Sequence, residues 1–353
     1  MQNIKPPHNG RTLRNCFYSP GEWCSLQDFC MKLYRHSDSN DVLLLLMNIK
    51  HKLEYTILRS TIFFINLLPV PVILFLCSAV GYVAWVVFPF RIKVAYKNLS
   101  TVFPEMDHPA KIRLLRRVYL QFTRTFGLVF ILHRKSLTRL VKNARITGRE
   151  KLDHALGQGK GVILTTIHAS WFEAYFAWFN LTGLPTSLIY KKQSNPLSDE
   201  FFVRQRRHFG SSLEQLSSYE GMTVYQEALA KNRLLIVSLD QSYTGTGTSV
   251  KFFNQPLACA KGSALLHLRS GAPVMTSVYY MQDGELHIDF DTVDLPEYSA
   301  INEENINDIS TRCIQLYEPF VRQHPEQWFS LFHRLWSKTG YTRVKRSLRQ
   351  IFF

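Results

Sequence analysis

The chain has little of what a disulfide scaffold needs. It carries six cysteines in 353 residues: Cys16, Cys24, Cys30, Cys77, Cys259 and Cys313. None is spaced as C-x-x-C. That excludes a disulfide-stapled module and gives no support to a zinc site or a redox dithiol. Scattered single thiols fit a reducing compartment. Acid is scarce as well, with 27 Asp and Glu against 42 Lys and Arg, a net charge of +15. Several catalytic signatures are missing. Gly157, Gly159 and Gly161 lack the last spacing of a dinucleotide fingerprint, as do Gly245 and Gly247. There is no Walker A run, no G-x-S-x-G elbow and no H-E-x-x-H, which argues against P-loop NTPases, serine hydrolases and zincins. No basic stretch leads straight into an apolar core and a small-residue cleavage site, so no signal-peptide layout is read.

What is present is apolar and cationic. Hydrophobic residues make up 46% and aromatics 13%, too rich for a disordered chain. The length suits one large or two modest domains. The charge of +15 calls for an anionic partner, and the aromatic and aliphatic content favours an anionic membrane surface, with no nucleic acid expected. Residues 1–58 read as a variable extension with a helix near 40–58. Residues 60–90 hold no charge and are bracketed by Arg59 and Arg91. A bilayer core takes about 20 apolar residues, so the segment 59–90 is expected to be a membrane-embedded helix, spanning or deeply monotopic. Pro69, Pro71 and Pro89 confine its clean helical part to residues 72–88, and Asn66 is its one strongly polar side chain. More cations follow the segment (Arg91, Lys93, Lys97, Lys111, Arg113, Arg116, Arg117) than precede it (Lys50, Lys52, Arg59). By the positive-inside rule the C-terminal bulk faces the cytoplasm.

Residues 91–345 read as an α/β domain, with residues 346–353 a basic and aromatic tail. Residues 111–130 have helical spacing, with Ile112, Leu115, Val118, Phe122 and Phe126 on one side. Short β-branched runs at 161–167, 233–239 and 274–280 read as buried strands, and Asp283-Gly284 joins the last to residues 285–290 as a hairpin. Strands alternating with helices predict a mixed, mostly parallel sheet flanked by helices.

His168 follows the first of these strands at once, where a strand hands over to a helix and sites in α/β sheets usually lie. Glu173 stands five residues on. On a regular helix the two would sit about 140° apart, so they meet only if the chain bends between them. Given that bend, Glu173 could accept a bond from one ring nitrogen, fixing the tautomer and leaving the other to take a proton from a hydroxyl. Spacing alone is weak evidence, because His36 and Asp41 stand in the same relation. Asp240, at the end of a second strand, is either a site residue or a turn cap. Lys191, Lys192, Arg204, Arg206 and Arg207 cluster as a solvated face or as a clamp for phosphate, with Arg206 and then Arg204 favoured. Asn195-Pro196 reads as a turn former or a ligand.

Several stretches, in order, resemble the late lipid A biosynthesis acyltransferases of the wider lysophospholipid/glycerolipid acyltransferase superfamily. They are Asn98-Leu99 with Phe103-Pro104-Glu105; Thr147-Gly148-Arg149-Glu150; Gly159-Lys160-Gly161-Val162; His168 to Glu173, similar to H-x-G-N-W-E; Ile189-Tyr190-Lys191-Lys192 to Asn195-Pro196; Arg204, Arg206 and Gly210; Asp240-Gln241; Lys251-Phe252-Phe253 to Pro256-Leu257-Ala258; Gly271-Ala272-Pro273-Val274; and His324-Pro325-Glu326-Gln327-Trp328. Ser170 stands where that family has Gly, Trp171 and Phe172 replace its Asn-Trp pair, and Asn254 replaces the last Gly of PFFG. The resemblance implies a glycerolipid-acyltransferase-like fold and direct transfer of a fatty acyl group from an acyl-carrier protein or coenzyme A thioester to a hydroxyl of a membrane lipid. A lipid A precursor is the leading acceptor; a lysophospholipid or another glycolipid is the alternative, and a basic membrane-tethered lipid-binding protein without catalysis is a third reading. It implies no cofactor and no metal, with His168 as general base, Glu173 as its orienting partner, and Arg206, Arg204, Lys191, Asp240 and Asn195 toward the substrates.

Overall fold

The computed structural model describes residues 40–243, 245 and 247–336, with side chains from 47 onward. The tail at 346–353 and the greater part of the extension at 1–58 lie outside them. Residues up to Thr56 and residues from Ile57 onward form separate units, and the sheet belongs to the second.

Among the described residues five helices precede the sheet. Helix α1 (Asn40–Leu67) runs across position 58 without a break and stops before Pro69. Helix α2 spans Val70–Val86, α3 Ile92–Val102 and α4 His108–Val129. The uncharged run at 59–90 is therefore two pieces. Pro69 cannot continue α1, because proline has no N–H to donate and its ring clashes with the preceding turn; it serves instead as the N-cap of α2. Arg134 holds the end of α1, donating from Nη1 to the Leu68 carbonyl at 2.6 Å and from Nη2 to that of Asn66 at 2.8 Å. Asn66 turns its own amide onto the Ile62 carbonyl. Among the described residues no helix is long and apolar enough to cross a membrane. The spanning helix expected at 59–90 is corrected to a 17-residue helix lying on α4.

That packing follows from an i, i+4 stripe. Ile73, Cys77, Gly81 and Trp85 face inward, and small residues let the backbones approach. A Cβ at Gly127 would clash with Cys77 Sγ, and one at Gly81 would meet Thr123 Oγ1 at 2.5 Å. Trp85 meets Tyr119 edge to face, and the Tyr119 hydroxyl donates to the Phe90 carbonyl. The outer face of α2 keeps Val72, Phe75, Val80, Val83 and Val86 exposed, followed by Val87, Phe88 and Phe90.

After α5 (Lys135–Lys142) the chain builds a seven-stranded sheet. Its elements are β1 (Arg145–Thr147), α6 (Arg149–Gly157), β2 (Val162–Thr166), α7 (Phe172–Thr182), β3 (Thr186–Tyr190), α8 (Pro196–Arg207), β4 (Leu213–Ser217), α9 (Met222–Ala230) and β5 (Leu234–Ser238). A two-stranded ribbon, β6 (Thr248–Phe252) and β7 (Gln255–Cys259), precedes α10 (Gly262–Ser270), β8 (Val274–Gln282), β9 (Glu285–Thr292), α11 (Glu303–Gln315) and α12 (Glu318–Gln323). The strand order is β1-β9-β8-β2-β5-β3-β4. Strands β8, β2, β5, β3 and β4 run parallel, while β9 returns antiparallel to β8. Asp283 and Gly284, at φ 52° and 80°, make the tight turn between them. The architecture is the mixed, mostly parallel sheet flanked by helices that the sequence predicts. Strand β2 is buried along its whole length, as a central parallel strand covered on both faces must be.

Overpacking at the α2–α4 seam should separate it from the outer face of α2. Gly127→Val is expected to lower unfolding free energy by about 1–3 kcal/mol, and Val83→Ala to change it by less than about 0.5 kcal/mol. Urea titration followed by circular dichroism reads both, and equal effects would contradict the packing described.

Candidate active site

The pairing of β2 with β5 decides what stands beside His168. Thr166 is in register with Ser238, and Leu239 N–H donates to the Thr166 carbonyl at 3.0 Å. Two residues further on each strand, the same register brings His168 opposite Asp240. Asp240 Oδ1 accepts from His168 Nδ1 at 2.7 Å, and the His168 backbone N–H reaches both carboxylate oxygens, at 3.1 and 3.0 Å. Trp328 Nε1 donates to Oδ2 at 2.8 Å. Asp240 is fully buried, while the His168 side chain is 43% exposed. Burial alone would raise the Asp240 carboxyl; the charge of His168 and the hydrogen bonds from His168 and Trp328 outweigh it and hold it below the usual carboxylate range. An ionised Asp240 makes Nδ1 the donor. Nε2 then carries the lone pair and points away from the carboxylate toward the open side.

Glu173 lies elsewhere. Trp171, at φ 66°, turns the chain into α7 and places Glu173 in its first turn, facing α8. Arg206 grips it from α8 with a two-pronged contact: Nε to Oε2 at 2.9 Å and Nη2 to Oε1 at 2.6 Å. Arg206 Nη1 donates to Gln215 Oε1 at 3.0 Å, and its guanidinium lies 5.4 Å from the Phe176 ring centroid. Two expectations are corrected here. The imidazole's carboxylate is Asp240, not Glu173, because the bend after His168 carries Glu173 past the ring and onto the next helix. Arg206 is no clamp for phosphate, because its guanidinium is buried and taken up by Glu173 and Gln215.

Among the remaining residues, Asn195 is buried and caps α8, its Oδ1 accepting from the N–H of Leu197 at 3.0 Å and of Ser198 at 3.4 Å. That is the structural one of the two readings the sequence left open, a turn former and cap. Arg204 is exposed and pairs with Glu200 one turn away. Lys191 and Lys192 are exposed just beyond β3, the strand next to β5, and so on the same rim of the sheet as His168 and Asp240.

A C-terminal strap completes the site, and its role escaped the sequence reading. Phe329 N–H donates to the His168 carbonyl at 2.9 Å and Ser170 N–H to that of Gln327 at 2.8 Å, so Ala169 and Trp328 pair as a short bridge. Ser170, fully buried, donates its hydroxyl to Gln327 Oε1 at 2.8 Å. This accounts for a hydroxyl where the resembling family has Gly. On the other side of the strap, Asn98 Nδ2 donates to the carbonyls of Leu331 at 2.8 Å and His333 at 2.7 Å, and Arg91 to that of Phe332 at 3.1 Å.

An apolar cavity of about 390 Å³ lies between the end of α1, α2 and α4, lined by Ile73, Leu76, Cys77, Val80, Phe122 and Phe126 among others. Phe126 meets Phe172 at 6.2 Å and Phe122 meets Phe329 at 5.1 Å between centroids. Aromatic rings thus connect the cavity to the loop after His168 and to the strap.

The family described as bacterial lipid A biosynthesis acyltransferase matches residues 50–338. The chain is similar to a lipid A biosynthesis acyltransferase of Haemophilus influenzae, 25% identical over 66% of this chain and 72% of that protein. It is similar to the lipid A biosynthesis lauroyltransferase of Escherichia coli, 24% identical over 76% of this chain and 86% of that one. It is also similar to a phosphatidylinositol mannoside acyltransferase of Mycobacterium tuberculosis, 29% identical over 42% of this chain and 48% of that protein, about half its length.

The depressed Asp240 carboxyl carries a stability signature. A carboxyl lower in the folded than in the unfolded chain contributes fully above its unfolded value of about 3.9 and loses that contribution as pH falls through its folded value. Urea midpoints of the wild-type chain should therefore fall faster below about pH 4 than those of Asp240→Asn. Parallel curves for the two proteins would contradict the ionised, bonded carboxylate.

Proposed function

The chain belongs to the bacterial lipid A biosynthesis acyltransferase family and is an acyl-transferring enzyme; from that premise we propose that it moves a fatty acyl group from an acyl-carrier protein or coenzyme A thioester to a hydroxyl of a lipid A precursor, with His168 as general base. The observation that carries the reading is the His168–Asp240 pair, one partner buried and ionised, the other half-exposed with Nε2 outward. The acceptor hydroxyl gives its proton to Nε2 as its oxygen attacks the thioester carbonyl. Asp240 stabilises the imidazolium without taking the proton. Collapse of the tetrahedral adduct breaks the C–S bond and forms the ester, and the imidazolium returns its proton to the departing sulfur. The first N–H groups of α7, which has no side-chain cap, supply donors toward the oxyanion. Burial pushes the Cys259 and Cys313 thiols up to about 12, so neither is a thiolate at neutral pH and neither competes as a nucleophile.

The apolar cavity beside α2 receives the acyl chain in this reading, and Lys191 and Lys192 on the rim meet the acceptor's phosphate. The outer face of α2, with Phe88 and Phe90, lies in the surface of an anionic inner membrane, the catalytic domain on the cytoplasmic side. Helix α4 adds exposed Arg113, Arg116 and Arg117 and contains no acidic residue. A related glycolipid is the second acceptor reading, favoured by the similarity to a phosphatidylinositol mannoside acyltransferase and by the altered residues Ser170, Trp171 and Phe172.

Purified protein, given a labelled acyl thioester on either carrier and either lipid acceptor, should transfer label to lipid, and His168→Ala should lose roughly 10²–10⁴-fold of that rate while remaining folded. An undiminished rate in that variant refutes the assignment. Sedimentation with vesicles containing phosphatidylglycerol should recover the wild-type chain and lose Phe75→Asp together with Phe88→Asp; recovery of both proteins alike would remove the membrane-facing role of α2.

A further inference from the structure

Asp240 accepts four N–H contacts at zero exposure, three of them from His168 and the fourth from outside the β2–β5 pair. That donor is the indole of Trp328, itself fully buried against Phe252 and Phe253 of the β6–β7 ribbon, with centroids at 5.9 and 6.4 Å. Its backbone is fixed twice over, by the bridge to Ala169 and by the Phe329 N–H on the His168 carbonyl. The ring therefore has one place to put its N–H.

We propose that Trp328 is a positioning residue for the acyl transfer: its N–H occupies Oδ2 of Asp240, so that Oδ1 faces Nδ1 of His168 and the carboxylate's charge is shared between the imidazole and the indole. The inference rests on the His168–Asp240 reading above. Without the indole N–H, Oδ2 loses a donor that no water can replace at a site with no exposure. The charge then concentrates on the imidazole side, the carboxylate becomes a stronger acceptor, and the imidazolium is held more tightly. A base that holds its proton more tightly needs a higher pH to be free, so the acid limb of kcat/KM moves upward. Three other titratable groups face the pair. Burial first, then the charges of His168 and Arg91, press His333 below the usual imidazole range. Burial pushes Cys259 and Tyr279 up, and the charge of Asp240 adds to it.

The test compares the wild-type chain with Trp328→Phe and with the chain carrying 3-benzothienylalanine at 328, a near-isostere of tryptophan in which a sulfur that cannot donate replaces the indole N–H. Folding is checked by circular dichroism and transfer is followed across pH. Both altered proteins should show kcat lowered about tenfold, as for one lost bond to a charged group, KM for the thioester unchanged, and the acid limb displaced to higher pH by about half a unit. The isostere decides where Phe leaves a hole in the packing. Wild-type kcat and an unmoved limb in the isostere overturn the proposal and leave Trp328 a packing residue. Asp240→Asn and His168→Ala are run beside it: full activity in those two sinks the dyad itself, whereas their loss with an unchanged isostere sinks only the role of the indole.

Discussion

The parallel ladder between β2 and β5 is the constraint on which the site depends. A parallel pair has one register wherever both faces are buried, because a slip by one residue would turn every side chain to the opposite face. Val162, Ile163 and Leu164 on one strand and Leu234, Leu235 and Ile236 on the other leave no such freedom. Burying each of these side chains stabilises by about 1.5–3 kcal/mol. The hydrophobic core therefore sets which carboxylate meets the imidazole, and the meeting happens at the C-terminal edge of the sheet, where open α/β sheets form their crevices.

The same edge shows two uses of acid. Asp240 is buried, held ionised by hydrogen bonds, and turned to the His168 ring. Glu173 is nearly as sheltered, but its charge is spent on Arg206, tying the start of α7 to the end of α8. Removing either member of such a pair leaves an uncompensated charge, which makes the two mutually dependent. Glu173 follows directly on the turn in which Trp171 adopts a left-handed conformation, an arrangement costing about 1–2 kcal/mol for a residue with a Cβ. The neighbouring Ser170 meets a different need, joining the turn to the strap through Gln327.

The helices before the sheet are organised by side-chain size as much as by hydrophobicity. Gly81 and Gly127 let α2 sink onto α4, and the residues left outside are large and apolar. Contiguous exposed apolar surface of this kind marks an interaction face. The cavity beneath it is walled by the same helices whose aromatic rings reach the strap and the loop after His168.

Much of this was legible along the chain. Local patterns suffice for buried strands, for the hairpin at Asp283-Gly284, for a strand end occupied by a histidine, and for a long uncharged segment interrupted by prolines, because propensity, periodicity and backbone restriction act between near neighbours. Asp240 could be placed at a strand end in the same way, yet not assigned to His168, since strand register is a relation between residues that the chain does not bring together by itself. The spacing of His168 and Glu173 invited a pairing that the turn at Trp171 prevents, and the partner of Arg206 was settled by the packing of α7 on α8. The indole beside Asp240 belongs to a segment far along the chain that only the folded strap delivers. Neighbour chemistry in the sequence thus determined the elements and the place of the imidazole at a strand end; tertiary packing, which alone fixes distances between distant residues, decided which charges meet.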